Sequence, residues 1–322
     1  MKKIIGALCL ILLLFVAITA FAQEHDRKEK KAFSARIEAG AIWINTTDQL
    51  VVDDNNERTT TITGEADSFN VAVPAVMFDL RYTFRDTDTE VYLGTPFEGS
   101  KTGLTLGMAH TFTDKSSLDL SIFSGIMGEV WKDPYIAPAK RDGTDIDDMG
   151  CAIEYDGIMG TGCNVYYRYN WVDVDQDGIG QRFSDLRRDG VIHSTGIGYR
   201  VQLDTGDTIT PSVEYSKADM DGKSNSYDGY TIKIGYRRTQ DNYTLLAFVS
   251  ADKKDYDRIH PIFNKTRDET GYSAVAIFTL LDPFGYDDFF TSVIVGYSYA
   301  DSNIAFFDKR TYISGITIGY TF

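Results

Sequence analysis

The last strand-like segment of the chain alternates with a period of two. Phe322, Tyr320, Ile318, Ile316 and Tyr312 share one face, while Thr321, Gly319, Thr317, Gly315 and Thr311 lie mostly on the other. Successive side chains of a β-strand point to opposite faces, so this segment presents one greasy aromatic face and one small polar face. The same alternation recurs in segments of roughly ten residues, the weak per-strand signal of a membrane-spanning barrel. It predicts strands near 33–45, 69–84, 89–96, 101–113, 117–130, 145–156, 161–173, 190–203, 208–218, 226–239, 243–256, 269–281, 288–300 and 309–322. The fold class is therefore all-β, an antiparallel up-and-down transmembrane barrel of about fourteen strands; 89–96 is the weakest segment, and since both termini in the periplasm require an even number, twelve is the alternative.

Connections between these segments sort by length. Short turns are predicted at 85–88, 113–116, 157–160, 204–207, 240–242 and 282–287, and longer charged stretches at 46–68, 131–144, 174–189, 219–225, 257–268 and 301–308; the brief 97–100 connection falls in the long register. Short turns belong to the periplasmic side of such barrels and long loops to the exterior. Aromatic residues follow the same division. Trp43, Trp131 and Trp171 stand where strands meet long loops, whereas Tyr82, Phe84, Phe112, Tyr199, Tyr236, Tyr320 and Phe322 stand beside short turns. Those positions predict two interfacial girdles, in which a ring buries its body and keeps a wet edge. A soluble β-sandwich would also alternate, but it accounts for neither the sorted loops nor the sorted aromatics.

The other end of the chain points to the same compartment. Met1-Lys2-Lys3 precedes an apolar run from Ile4 to Phe21, and Ala20-Phe21-Ala22 gives a small-x-small pattern before Gln23. Residues 1–22 read as a cleaved signal peptide, 23–32 as a short periplasmic tail and 33–322 as the barrel. Removing Lys2 and Lys3 with the leader takes the formal charge from −15 to −17. No later stretch approaches the ~20 apolar residues of a membrane helix. Localisation in the bacterial outer membrane follows, with outer-membrane lipid and lipopolysaccharide as surroundings.

Projected inward, the alternation gives Arg36, Glu38, Asp79, Arg81, Asp119, Glu154, Arg168, Arg200, Glu214, Lys233 and Arg237 as the pore-lining set. Six are basic and five acidic, so the wall is nearly charge-balanced although the chain is acidic. The surplus of carboxylates is expected in loops and turns, such as Asp53-Asp54, Asp145/Asp147/Asp148 and Asp287-Asp288. Barrels of ~8 strands are filled by side chains and those of ~16 leave a channel, so at fourteen the inward loops decide whether the bore is open.

Other chemistry is sparse. Asp173, Asp175 and Asp177, followed by Gly178, resemble the start of a calcium loop, but the twelfth position is Ser184 rather than a bidentate Glu. Calcium is the one cofactor the sequence suggests, against the plainer reading of acidic turn residues. His110 and His193 fall in the outward phase. His193-Ser194-Thr195 resembles the local His/Ser proximity of outer-membrane lipases, yet neighbouring strand residues face opposite ways and cannot form a base–nucleophile pair. Cys151 and Cys163 flank a short turn with shared parity and read equally as a disulfide or as two free thiols. Neither a phosphate-binding glycine loop nor a basic nucleic-acid patch is present.

Five local words carry a family resemblance: Tyr92-Leu93-Gly94-Thr95-Pro96, Trp131-Lys132-Asp133-Pro134-Tyr135, Arg188-Asp189-Gly190, the run from His260 to Asp268, and Asp301-Ser302-Asn303-Ile304. In this order the chain resembles an uncharacterised family of Gram-negative outer-membrane β-barrel proteins of about 300 residues, a domain of unknown function. The resemblance implies the barrel and carries over no catalytic residue. All five words fall at exterior strand ends or loops, which gathers Trp131, Tyr135, Arg141, His260, Lys265, Arg267, Phe306 and Phe307 at one mouth. That mouth reads either as loops packed into a cap or as a recognition site for a small solute. The function expected is a channel or porin-like conduit for small solutes and not an enzyme. The alternatives are a non-conducting structural or surface-binding barrel and, as a minor one, an outer-membrane lipid hydrolase.

Overall fold

In lipid no water is available to satisfy backbone N–H and C=O groups, so a membrane sheet must close on itself. The computed structural model, which describes residues 32–84, 87–95, 103–125 and 128–322, does so. Its first seven strands are β1 (Phe33–Thr46), β2 (Phe69–Phe84), β3 (Thr89–Gly94), β4 (Leu104–Thr111), β5 (Ser117–Ser124, resumed at Gly128–Trp131), β6 (Gly143–Asp156) and β7 (Cys163–Val174). The rest are β8 (Gly190–Tyr199, resumed at Val201–Gln202), β9 (Thr208–Met220), β10 (Tyr227–Thr239), β11 (Tyr243–His260), β12 (Lys265–Leu281), β13 (Phe289–Ser302) and β14 (Lys309–Thr321). Each pairs antiparallel with its sequence neighbours, and β1 pairs with β14 from Arg36↔Thr321 to Thr46↔Thr311, so fourteen strands form one closed barrel. Among the described residues no helix is long and apolar enough to cross a membrane.

The register fixes the faces. Trp43, Leu106, Ile122, Ile197, Ile232, Val249, Val295, Ile316 and Ile318 are exposed on the outside, forming the apolar band that contacts lipid. Tyr230, Tyr272, Tyr297 and Tyr312 join Trp43 and Trp171 at its exterior edge, and Tyr82, Phe84, Phe112 and Tyr199 mark its periplasmic edge. The protein is an outer-membrane β-barrel. At the seam, the inward Gly40 lies so close to the backbone of Ile316 and Thr317 that a Cβ there would overlap Ile316 O.

Three sequence-based expectations change. Trp131 is not a girdle ring: it is 3% exposed and donates from Nε1 to Gln49 O, because β5 breaks after Ser124 and its resumed end rises into the loops. The predicted 257–268 loop shrinks to a tip at 261–264, because β11 and β12 keep hydrogen-bonding for 18 and 17 residues. The ~9–11 residues that cross lipid are used up well before that tip, and beyond the lipid edge water removes the alternation while the ladder continues. A bulge between Asp255 and Ile259 bends this projecting hairpin. Finally, Asp145, Asp147 and Asp148 lie on β6 rather than in a loop, and Asp148 accepts from Asn170 Nδ2 at 2.9 Å.

The sulfur question resolves by register. Asn164 pairs with Asp156, so Cys163 stands beside the turn, while Cys151 pairs with Tyr169. At ~3.3 Å per residue the cysteines are roughly 20 Å apart along the strands, beyond the ~7 Å reach of a disulfide, and both are free thiols. The leader and tail expected at 1–22 and 23–32, apart from Ala32, lie outside the described residues, as do Pro96 and the 97–100 connection.

The lipid boundary has a direct test. Ile232 and Ile259 are 61% and 58% exposed, but Ile232 stands in the apolar band and Ile259 on the projecting hairpin. Ile232→Arg is expected to cost about 2–4 kcal/mol in urea unfolding from liposomes, and Ile259→Arg within about 1 kcal/mol. Equal costs would remove the boundary between them.

Candidate functional site

The interior wall is built from the second phase of every strand. Arg36 and Glu38 on β1 form an ion pair at 3.1 Å, and Glu38 also accepts from Thr317 across the β1–β14 seam. Arg81 on β2 holds Asp79 at 2.9 Å and reaches Glu90 on β3 at 2.7 Å. Tyr92 Oη donates to Asp119 at 2.9 Å. Farther round, Arg168 faces Glu214 at 3.7 Å, Tyr166 also donates to Glu214, and Arg200, at the break in β8, pairs with Asp156 at 2.8 Å. Lys233 Nζ stands 4.4 Å from the ring centre of Phe248, and Arg237 is the register partner of Leu246. Glu154 pairs in register with Asp119 and Tyr166. All eleven side chains expected inside share the inward phase. Glu90, Asp148 and Asp156 join them, so the wall is more acidic than the sequence list alone. A cavity of about 470 Å³ lies at the periplasmic end of this face, against Arg36, Glu38, Asp79, Arg81 and Arg237.

The exterior mouth is filled by loops. Tyr135, from the β5–β6 loop, donates or accepts at 2.9 Å with His260 Nε2 on β11, and its ring meets Phe263, Phe306 and Phe307 at 4.9–6.5 Å. In a fourteen-strand ring that loop starts opposite β12 and β13, so it crosses the mouth to reach the far wall. Ile304, Phe306 and Phe307 form a buried cluster with Ile62, Tyr135 and Phe263 against it. Arg267 packs against this cluster, its Cζ 3.6 Å from the Phe307 ring centre, and is tied to Glu269.

A second knot supports the first. Arg141 is 1% exposed. Its guanidinium donates to Gln49 O at 3.0 Å, Pro134 O at 3.2 Å and Asn56 Oδ1 at 2.8 Å, and covers Trp131 at 4.6 Å. Burial pushes its pKa down to about 10. Arg188 donates to Trp131 O at 2.7 Å and Lys132 O at 3.2 Å while holding Asp177, joining the β7–β8 loop to the same body. Thus the structure brings together Tyr135, His260, Arg267, Phe306 and Phe307, joins Arg141 and Trp131 to them through Pro134, and leaves Lys265 exposed, donating to Asn303 O at 2.9 Å. Sequence reasoning missed Gln49, Asn56, Ile62, Phe263 and Glu269; the Phe263 position inside the His260–Asp268 word was the available signal.

Asp173, Asp175 and Asp177 do not converge. Asp177 caps the short helix α1 (Gly178–Arg182) through Gly180 N and accepts from Arg188 Nε at 2.9 Å and Nη2 at 2.7 Å. Asp173 stands opposite Asp147 on the β6–β7 ladder. Among the described residues no three His, Cys, Asp or Glu side chains gather closely enough to hold a metal ion. His193 points outward, with Nδ1 at 2.6 Å from Tyr167 Oη, whereas Ser194 is buried on the inward face next to Arg168, so the two face apart as the alternation requires.

With this geometry in hand, residues 32–321 match a family described as a protein of unknown function, DUF2860. The chain belongs to that family. No curated protein matches it. Among solved structures it is similar to a FadL homologue of Pseudomonas aeruginosa, with 12% identity, 91% of this chain and 90% of that one covered, and a TM-score of 0.44. It is also similar to the CymD monoaromatic hydrocarbon channel (10%, 90% and 88%, 0.46). The corresponding figures for LpxR from Salmonella typhimurium are 11%, 87% and 99%, and 0.41. Likeness at this level carries neither a solute nor an activity to this family member.

The cap has a pH signature. Burial, and then the Arg267 charge, lower the His260 pKa to about 4. An imidazole kept neutral in the folded cap and protonated near 6.5 when released stabilises the closed form fully above pH 6.5. That contribution is lost as pH falls from 6.5 towards 4, and amounts to about 3 kcal/mol at most. In a Trp43→Phe/Trp171→Phe background, acrylamide quenching of Trp131 is expected to rise over this window and to stay flat in His260→Gln. The same rise in both proteins would contradict the assignment.

Proposed function

We infer that this barrel is a gated conduit for small solutes, closed at rest by its exterior loops. The observation that carries the reading is the polar inward wall running behind the cap to a cavity of about 470 Å³. A barrel with a purely structural role has no need of an ion-paired interior, since burying charges without full compensation is costly. In a wet lumen the same pairs are stable and offer successive polar contacts to a passing solute. Arg81, Arg168, Arg200, Lys233 and Arg237, interleaved with Asp79, Asp119, Glu154 and Glu214, would form the path. Mixed signs argue for modest ion selectivity. The packed Tyr135–His260–Phe307 cap favours one second reading, a non-conducting barrel whose loops face a surface partner.

Planar-bilayer recording separates the two. Wild-type protein is expected to conduct rarely at neutral pH, and Tyr135→Ala/Phe306→Ala to raise open probability at least tenfold. Absence of current in both, at every voltage and salt, would leave the non-conducting barrel. In the opened variant, Arg200→Glu is expected to move the reversal potential towards cation preference; an unchanged potential would take Arg200 off the path.

A further inference from the structure

The inward face is not polar all the way round. In register across six strands, Leu246, Ile277, Ile294, Gly315, Ile42 and Val73 form one rung. The next rung outward runs Phe248, Val275, Gly296, Ile313, Ile44 and Val71. Both carry the inward parity of Arg36 and Glu38. Two hydroxyl rungs bracket them: Ser250 and Ser273 share a hydrogen bond at 2.7 Å on the exterior side, and Thr279 and Ser292 one at 3.0 Å on the periplasmic side. Val73 is exposed from within and Phe248, Val275, Ile277 and Ile313 are half-buried, so the strip is a surface of the lumen. The opposite arc, β3–β9, carries the Tyr92–Asp119, Tyr166–Glu214 and Arg200–Asp156 contacts.

An aliphatic surface facing a water-filled bore is unfavourable unless something apolar covers it. The edge of the strip says what accompanies that apolar group. Arg237 is the register partner of Leu246, and Lys233, the partner of Ser250, sets its Nζ over the Phe248 ring. At the periplasmic end Arg36 lies 4.0 Å from the Phe290 ring centre. The 470 Å³ cavity is lined by Leu246, Ile277 and Ile294 together with Arg36 and Arg237. Three cations border the apolar surface, and the carboxylates of the same lining are Glu38, ion-paired to Arg36 at 3.1 Å, and Asp79, held by Arg81 at 2.9 Å.

We propose that the lumen binds small amphipathic carboxylates, with an aliphatic or aromatic body on the β11–β14–β1–β2 strip and the carboxylate at Arg237 and Lys233. This rests on the conduit reading for its biological purpose and names the solute class of that bore. The binding itself is independent of conduction.

The test uses 3-phenylpropionate as probe, titrated calorimetrically into the full barrel in lipid nanodiscs with empty nanodiscs as blank. Acetate supplies the head without the body, and 2-phenylethanol the body without the charge. Saturable binding of 3-phenylpropionate at least tenfold tighter than either is expected. Val275→Thr/Ile313→Thr, β-branched and suited to strands, is expected to weaken 3-phenylpropionate at least fivefold and leave acetate unchanged. Arg237→Gln should weaken 3-phenylpropionate and leave 2-phenylethanol unchanged. Equal affinities for the three probes in wild-type protein, which need no variant to fold, would overturn the proposal, as would indifference to the strip substitutions. Binding as expected by a barrel that never conducts would refute the conduit and keep the site. Conduction without preference among the probes would refute the site and keep the conduit.

Discussion

The backbone's need for hydrogen bonds inside lipid is the constraint on which everything else depends. An unpaired N–H or C=O in hydrocarbon costs several kcal/mol, and an open edge would leave a whole row of them. The β1–β14 pairing removes that edge. Gly40 lets the seam close tightly, since any larger residue would strike Ile316 O. Closure then sets the register of each strand against the next, and a slip of one residue would exchange lipid-facing and lumen-facing side chains throughout a strand.

Register does more than sort inside from outside. It carries ion pairs between strands, as in Arg81–Glu90 and Arg200–Asp156, and it stacks aliphatic residues from distant parts of the sequence into two rungs. Ile42 and Ile277 are 235 positions apart in the chain and stand on the same rung. The polar arc and the apolar strip are thus products of one closed ladder. The cap is a different kind of construction. It is held by side chains reaching across the mouth, with Arg141 Nη1 and Nη2 donating to carbonyl and amide oxygens and Tyr135 seated among Phe263, Phe306 and Phe307. Buried hydrogen bonds to a charged group are worth more than neutral ones, and removing the donor leaves those acceptors stranded.

What the sequence made legible follows from this division. Alternation within one strand is local, so strand positions, the outward phase of His110 and His193 and the inward phase of all eleven charged residues could be read from single segments. Partners could not: that Arg81 meets Glu90 and Arg200 meets Asp156 depends on how the strands align. The apolar strip was invisible for the same reason, since Ile42, Val275 and Ile313 each look like ordinary strand residues until six strands are aligned. Trp131 was misread because its position at a strand end suggested a girdle, while a break in β5 lifts it into the loops. The projecting β11–β12 hairpin was cut short because hydropathy alternation ends at the lipid edge and backbone pairing does not.

The central claim is that register divides each strand into a lipid face and a lumen face. Site-directed spin labelling along β10, with Cys151 and Cys163 replaced by serine, tests it most directly. Labels at Tyr230, Ile232 and Ile234 should relax strongly with oxygen, which concentrates in lipid, and labels at Thr231, Lys233 and Gly235 with a water-soluble nickel chelate, giving a period of two. A reversed phase, or accessibility to both reagents without periodicity, would contradict the account.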